Sequence, residues 1–528
     1  RTGPVSFRIV RGMSEPPHSQ PNRSDPASDR PSSGSPLLLA AILFLALAAR
    51  LFWASRKGLV LDEFHTLFHG SQATWGAFVH HLGQDNHPPL AFLFVNATRS
   101  VFGDSDFALR IPAIVAGMIE LILVLRIARA ARVAKPLAAV AVLAASSLHM
   151  DCSAQVRMYA LLALSVTACV DGILQLTRER TSRVAAIQVT LAIAAGLHTH
   201  YFFAQDLIWL GVAWIAGWIA APEIRARLKR VIAPVLVGVA LALPWYLTVF
   251  RTQWGHELPP GGDEVHVLDF FEAFIHQFVL NVSLAGPWRW VLLLAGAAIS
   301  VLAGIGWFQL AKTKDAYQRF AAILIGSIAF GVPSGAWTLA SYLPRAGFTW
   351  HYILPSAGAL AVLAAEGARC GPKARILQVA TVCAAALCVL NLTTRGTEDY
   401  PGAVAHVMEE WQPGDAVLVV EFQPPVFPIG SPWNRYALNL APDGSEGTRY
   451  SSRVPLELAT REPAPVPIEM NGIHVANPDD LIGPNRIWVI ASAMPDSTLT
   501  MKRMRERFVK ESRVETFGHR PIVHLFED

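Results

Sequence analysis

The residues best suited to chemistry are an adjacent pair of carboxylates, Asp62-Glu63, and a scattered set of cations and aromatics. The set comprises His87-Pro88-Pro89, Asp151 with Arg157 and Tyr159, His198-Thr199-His200-Tyr201, Arg251 with His256, and His351-Tyr352. A carboxylate can take a proton from a hydroxyl, and Arg or His can stabilise an anion released nearby. Neighbours in a helix point about 100° apart, so Asp62 and Glu63 cannot both face one atom from a helical segment. Each residue also has a plain reading. Asp62-Glu63 suits a solvated turn, Arg157 a snorkelling cation, and His351 or Tyr201 an interface anchor. No spacing makes a closed metal site, and GxGxxG, P-loop, GxSxG, HExxH and CxxC motifs are all absent.

What must position these residues is an apolar chain. Of 528 residues 52% are hydrophobic and 16% charged, against roughly 25% charged in soluble proteins. The charge deficit is concentrated between residues 36 and 392, which excludes a water-soluble globule. All five cysteines lie in that stretch, which excludes a disulfide framework. A net charge of +4 is too small to indicate a nucleic-acid partner.

A bilayer needs about 20 apolar residues per helix, and Lys/Arg-flanked loops stay cytoplasmic. These conditions predict a polytopic α-helical membrane protein with about eleven transmembrane helices. The spans are 36–55, 109–130, 136–150, 157–177, 184–201, 205–221, 231–250, 288–311, 320–342, 351–367 and 376–392. Basic residues at 126–135, 178–183, 225–230, 312–319 and 369–375 then fall in every second connection, on the cytoplasmic side. Residues 88–103 carry Asn96, Thr98 and Arg99 and read as a half-embedded or juxtamembrane helix. Outer loops 56–108 and 251–287 show apolar residues at helical spacing, as expected of helices lying at an interface. The chemically able residues all fall on this outer side.

Residues 1–35, rich in Pro, Ser and charge, read as a disordered cytoplasmic tail. Residues 393–528 follow the last span and read as a small extracytoplasmic α/β domain. Expected there are a helix over 403–411, a turn at Pro413-Gly414-Asp415, strands over 416–420 and 487–492, an amphipathic helix over 498–511 and a last strand near 521–526.

The ordered segments LDEFHTL (61–67), NHPPLAFLFVNATRSVFGDSDFALRIPAIVAG (86–117), AQVRMYALLAL (154–164), HTHYFF (198–203) and HYILPSAGALAVLAAEG (351–367) resemble membrane glycosyltransferases of the GT-C type. The resemblance is nearest to glycosyltransferase family 39, the dolichyl-phosphate-mannose protein mannosyltransferase-like group, with the lipid A aminoarabinose transferases as cousins. It implies a polyprenyl-phosphate sugar donor and an acceptor hydroxyl on a protein, lipid or glycan at the outer face. Asp62 matches the first acidic residue of the family's outer loop and is the expected base, with Glu63 orienting it or contacting the sugar. Arg157 and Tyr159, in the RMYAL context, are the first choice for the donor. His198, His200, Tyr201, Arg251, His351 and Tyr352 are further donor-phosphate or sugar contacts, and His87 and Pro88 position the loop. Two departures stand out: His351-Tyr352 replaces the family's Arg-Tyr, and His87 stands where the aminoarabinose transferases have an acid.

The chemistry agrees with this resemblance. A polyprenyl phosphate is a good leaving group, so one carboxylate suffices where glycoside hydrolysis uses two, and a single displacement inverts the anomeric centre. No cofactor is required, although a divalent metal is possible. The Ala-rich helices and the outer domain without cysteines point to a bacterial inner membrane. A transporter or lipid flippase is the alternative, through the deeply placed Glu120 and Asp171. A receptor or scaffold would leave the outer polar set unexplained. Convergence of Asp62, Arg157 and His351 on one outer site is the discriminating observation.

Overall fold

The computed structural model describes residues 35–83, 85–180, 182–255, 266–278, 287–342, 349–369, 371–394, 398–410, 412, 416–421, 451–455, 468–470, 473–475, 486–491, 505, 510–516 and 521–527. Pro36 opens helix α1 (Pro36–Arg56), at a position where its missing N–H removes no helical bond. Leu37, Leu38, Phe44 and Leu45 stay exposed along α1 while Ala46, Arg50, Trp53 and Ala54 are buried. An outward apolar stripe of this length suits hydrocarbon. Four helices then fill the first outer loop: α2 (Leu61–Gly70), α3 (Trp75–Gly83), α4 (Leu90–Phe102) and the short α5 (Asp106–Leu109). Residues 88–103, expected as a juxtamembrane helix, contain the 13-residue helix α4. The chain continues through α6 (Ile111–Ala130), α7 (Pro136–Ala144), α8 (Ser147–Cys152), α9 (Tyr159–Leu176), α10 (Arg183–Thr199) and α11 (Phe203–Ala220).

Among the described residues seven stretches are long and apolar enough to cross a membrane: α1, α6, α9, α11, Pro222–Leu247, Arg289–Ala311 and Ala316–Tyr342. Each coincides with an expected span, and the four other expected spans are also helical. Residues 136–150 divide because Ser146 leaves the helix and its Oγ accepts the His149 N–H at 3.1 Å, capping α8. Residues 184–201 form the 17-residue α10. Residues 351–367 form a 3-10 turn, Trp350–Ser356, followed by the helix Ala357–Gly367. The last is the 23-residue helix Pro372–Thr394. The second outer loop carries the expected surface helix, Val267–His276.

Close helix contact in the bundle relies on glycine. A Cβ on Gly306 would lie 1.9 Å from the Leu363 carbonyl oxygen, and one on Gly367 would lie 1.9 Å from that of Leu302. The helices Pro287–Ala311 and Ala357–Gly367 therefore meet backbone to backbone, as small residues allow within membranes.

The five basic connections gather at one end. Arg132 pairs with Asp315 at 3.2 Å, Arg178 donates to the Tyr317 hydroxyl, Arg230 donates to the Arg178 carbonyl, and Arg319 donates to the Ala220 carbonyl. Glu366, 3.8 Å from Arg369, accepts the Ala134 N–H at 2.9 Å. Arg129, Arg132, Arg178, Arg180 and Arg227 line a cavity of about 830 Å³ there.

At the opposite end sits the C-terminal domain. Strands β1 (Ala416–Glu421), β2 (Ser451–Pro455), β5 (Arg486–Ala491), β6 (Lys510–Thr516) and β7 (Ile522–Glu527) form a mixed sheet in the order β2-β1-β5-β7-β6. Strand β1 runs parallel to β2 and β5, and β7 runs antiparallel to β5 and β6. Strands β3 (Ile468–Met470) and β4 (Ile473–Val475) pair separately. The expected helix is Tyr400–Glu409, and the expected strands at 416–420, 487–492 and 521–526 are β1, β5 and β7. The amphipathic helix over 498–511 needs correction at its end: Lys510 and Glu511 begin β6, where Glu511 faces His524 of β7 at 2.8 Å. Residues 498–504 and the turn at 413–415 lie outside the described residues.

This domain shares a core with the first outer loop. Tyr400, Val404, Trp488 and Val523 pack with Leu59, Phe64, Val95 and Val156. Leu61 N–H donates to Glu398 at 2.8 Å. The domain is thus seated on the helix that carries Asp62 and Glu63.

Candidate active site

The site is built outward from Glu63. Its carboxylate accepts two bonds from Arg110, Nε to Oε1 at 3.0 Å and Nη2 to Oε2 at 2.8 Å, and both side chains are fully buried. It also accepts the Val60 N–H at 2.9 Å, closing the first turn of α2, and the Val156 N–H at 2.8 Å. Arg110 donates onward to the carbonyls of Ala54, Lys57 and Gly58. One ion pair thereby ties the end of α1, the start of α2, the start of α6 and the loop before α9. Burial pushes the Glu63 carboxyl up, but the Arg110 and Lys57 charges outweigh it and hold the group below its usual value.

Asp62 and Arg157 sit one residue from the two ends of that tie. Asp62 is 59% exposed, and its Oδ2 lies 3.9 Å from Arg157 Nη2. Arg157 is buried and donates from Nη1 to the Asp62 carbonyl at 3.2 Å and to Thr66 Oγ1 at 3.1 Å, with His65 Nδ1 at 3.4 Å. Its Nε has no partner among the described residues. Desolvation acts upward on Asp62, and the charges of Arg157, His65, His351 and His87 outweigh it, so the carboxyl stays below its usual value. The outcome is an exposed, ionised carboxylate beside a held guanidinium.

Aromatic rings extend the site. The Arg157 guanidinium lies 5.6 Å from the Tyr159 ring centre, and Tyr159 stacks on His351 at 4.6 Å. His200 lies 5.1 Å from Tyr352, 5.5 Å from His87 and 6.1 Å from Tyr159. Tyr352 stacks on Phe202 at 4.1 Å. His87, with buried Pro88 and with Pro89 leading into α4, holds its Nδ1 3.4 Å from Asp85.

Four expected residues stand apart from this group. His198 Nδ1 donates to the Ala194 carbonyl one turn back on its own helix. Tyr201 bonds to Gln253 and accepts from Trp245, turning toward another helix. Arg251 is exposed, outside the contacts among the described site residues. Asp151 meets Lys57 at 3.9 Å rather than Arg157. His256 lies outside the described residues.

Several residues carry weight that the sequence did not show. Arg110 looks in sequence like the start of a span. Gln253 bonds the carbonyls of Leu82 and His87 and so holds the His87 turn. His65, His69 and Asp85 bring one possible metal-ligand atom each within 4.8 Å of one another. Their one sequence signal is the i, i+4 spacing of His65 and His69. Burial lowers the His69 imidazole to about 3.

Residues 86–250 match the family model described as dolichyl-phosphate-mannose-protein mannosyltransferase. The structure is similar to the crystal structure of ArnT from Cupriavidus metallidurans bound to undecaprenyl phosphate, with a TM-score of 0.53 and 13% identity, covering 92% of this chain and 97% of that one. At 13% identity this likeness shows a shared fold over nearly the whole chain. ArnT in the apo state aligns with a TM-score of 0.43 and 14% identity over the same shares of the two chains. The S. cerevisiae Pmt1-Pmt2 complex bound to its sugar donor aligns at 0.34 and 19%, over 41% of this chain and 34% of that one. No curated protein sequence matches the chain. The family match covers His87, Pro88, Arg110, Arg157, Tyr159, His198, His200 and Tyr201, while Asp62, Glu63, His351 and Tyr352 lie beyond it.

Proposed function

We propose that the chain moves a sugar from a polyprenyl-phosphate donor to an acceptor hydroxyl at the membrane face opposite the basic connections, with inversion. Supporting the donor class are the family match and the undecaprenyl phosphate bound by the similar ArnT. The observation that carries the reading is the exposed Asp62 carboxylate 3.9 Å from the buried Arg157 guanidinium.

In the proposed step Asp62 takes the acceptor hydroxyl proton as the acceptor oxygen bonds to the anomeric carbon. The bond from that carbon to the phosphate oxygen breaks, and its electron pair leaves on the phosphate. Arg157, with Tyr159, His200, His351 and Tyr352 around it, receives the developing charge. Glu63 is a positioning residue: its carboxylate is occupied by Arg110 and two backbone N–H groups. The acceptor is a protein, lipid or glycan hydroxyl. The basic connections face the cytoplasm of a bacterial inner membrane, and the C-terminal domain faces the periplasm.

The acids that favour a transporter have partners. Glu120 accepts from Thr167 at 3.0 Å and lies 3.2 Å from His149, which meets Arg50 at 2.6 Å. Asp171 pairs with Arg126 at 2.8 Å. Membranes containing the chain, given a labelled polyprenyl-phosphate sugar, should transfer label to endogenous acceptors. Asp62→Asn should lower turnover by about 10²–10⁴ with donor binding retained. Turnover within about threefold of wild type, well short of that range, rejects Asp62 as the base.

A further inference from the structure

We infer that His65, His69 and Asp85 form a binding site for a divalent transition-metal ion of the zinc class, beside Asp62 and Arg157. His65 and His69 lie one turn apart on one face of α2, and Asp85 comes from the turn after α3. Each offers one ligand atom within 4.8 Å of the others, and His65 Nε2 is already 3.1 Å from Asp85 Oδ1. Zinc bound at about 2.0–2.1 Å holds tetrahedral ligands about 3.3 Å apart. The His65–Asp85 pair already has that spacing, and His69 lies within 4.8 Å of both.

His69 is the observation that points to a ligand. Its side chain is fully buried, and neither ring nitrogen has a hydrogen-bond partner among the described residues. The rings of Phe68 and Phe92 both lie 5.2 Å away, so packing alone would be served as well by phenylalanine. A buried imidazole with both nitrogens unsatisfied is costly, and a metal bond relieves it. Two imidazoles and a carboxylate suit zinc and leave a fourth position for water or a ligand oxygen. His87 Nδ1, 3.4 Å from Asp85 Oδ2, is placed as the outer partner that orients a ligating carboxylate.

The site connects to Arg157. Arg157 Nη1 donates toward His65 Nδ1 at 3.4 Å, so the ring proton sits on Nε2, facing Asp85. A metal on Nε2 moves that proton to Nδ1, which then no longer accepts from Arg157. Occupancy thereby loosens the Arg157 guanidinium from His65 and leaves it to Asp62 and to an incoming anion.

The full chain, purified in detergent and stripped with chelator, is titrated with Zn²⁺, with Co²⁺ as a visible-absorbing probe. Wild type should retain one equivalent. His69→Phe should retain none yet unfold in chelator at or above the wild-type temperature, because it loses two unsatisfied nitrogens and keeps the ring volume. His87→Ala should weaken zinc binding by about 10- to 100-fold. Should His69→Phe not fold, Asp85→Asn provides the same readout. Wild type holding no zinc above background, or either ligand variant retaining a full equivalent, overturns the site. Metal content is read without a sugar donor, so its failure is distinct from failure of the transfer reading.

Discussion

Glu63 joins the Asp62 segment to the Arg157 segment: the carboxylate that accepts the Val156 N–H at 2.8 Å also receives the two-bond fork of Arg110. The position 63 carboxylate is therefore fully occupied in holding these segments together. Breaking a fully buried ion pair at one partner costs about 3–5 kcal/mol. Glu63→Gln and Arg110→Leu should each lower thermal stability in detergent and reduce yield, whereas Asp62→Asn should leave the melting temperature near wild type. Equal melting temperatures for Glu63→Gln and Asp62→Asn would show that the fork does not hold this end of the fold together.

Arg157 makes its contacts through geometry that an ammonium cannot copy. Arg157→Lys keeps the charge and gives up the simultaneous reach to the Asp62 carbonyl and Thr66. Hydrogen bonds to charged groups contribute about 1.5–3 kcal/mol. The donor kcat/KM should accordingly fall about 10- to 100-fold in Arg157→Lys, shared between a raised KM and a lowered kcat because the guanidinium is proposed both to hold the phosphate and to receive its developing charge. A fall in kcat at constant KM would instead place Arg157 in the transition state alone.

The Gly306–Gly367 crossing sets the distance between two helices of the bundle. Because a Cβ there meets a carbonyl oxygen rather than a movable side chain, Gly306→Ala must push backbones apart. Overpacking of this kind costs about 1–3 kcal/mol, readable as a lowered unfolding temperature. Gly304→Ala, whose Cβ meets nothing within 4 Å, is the control and should be neutral or slightly stabilising.

The gathering of the five basic connections at one end, four of them lining one cavity, predicts sidedness. Alkaline phosphatase fused after residue 400 should be active, and fused after residue 228 inactive. The reverse result would move the Asp62 site to the cytoplasmic face.

Much of this protein was legible from its residues alone. The seven long apolar stretches, the surface helices of both outer loops and the clustering of Lys and Arg follow from local hydrophobic period and charge, which a helix expresses within its own turns. The pairing of Asp62 with Arg157, and of Tyr159 with His351, also agrees with the convergence expected from the outer polar set. The break at Ser146 was not legible, because a run of apolar residues does not report a cap made by one hydroxyl.

Tertiary structure alone decided which of Asp62 and Glu63 is buried and which is exposed. Side by side in sequence they are equivalent carboxylates. The helix turns one toward solvent and the other toward Arg110, 47 residues away, and no local pattern encodes that partner. The same holds for Asp85, which meets His65 and His87 in a turn whose two ends Gln253 bonds through their carbonyls. Which of several polar side chains shares a site depends on contacts between distant segments, and hydrophobic patterning specifies the faces of elements without naming the residue each face will meet.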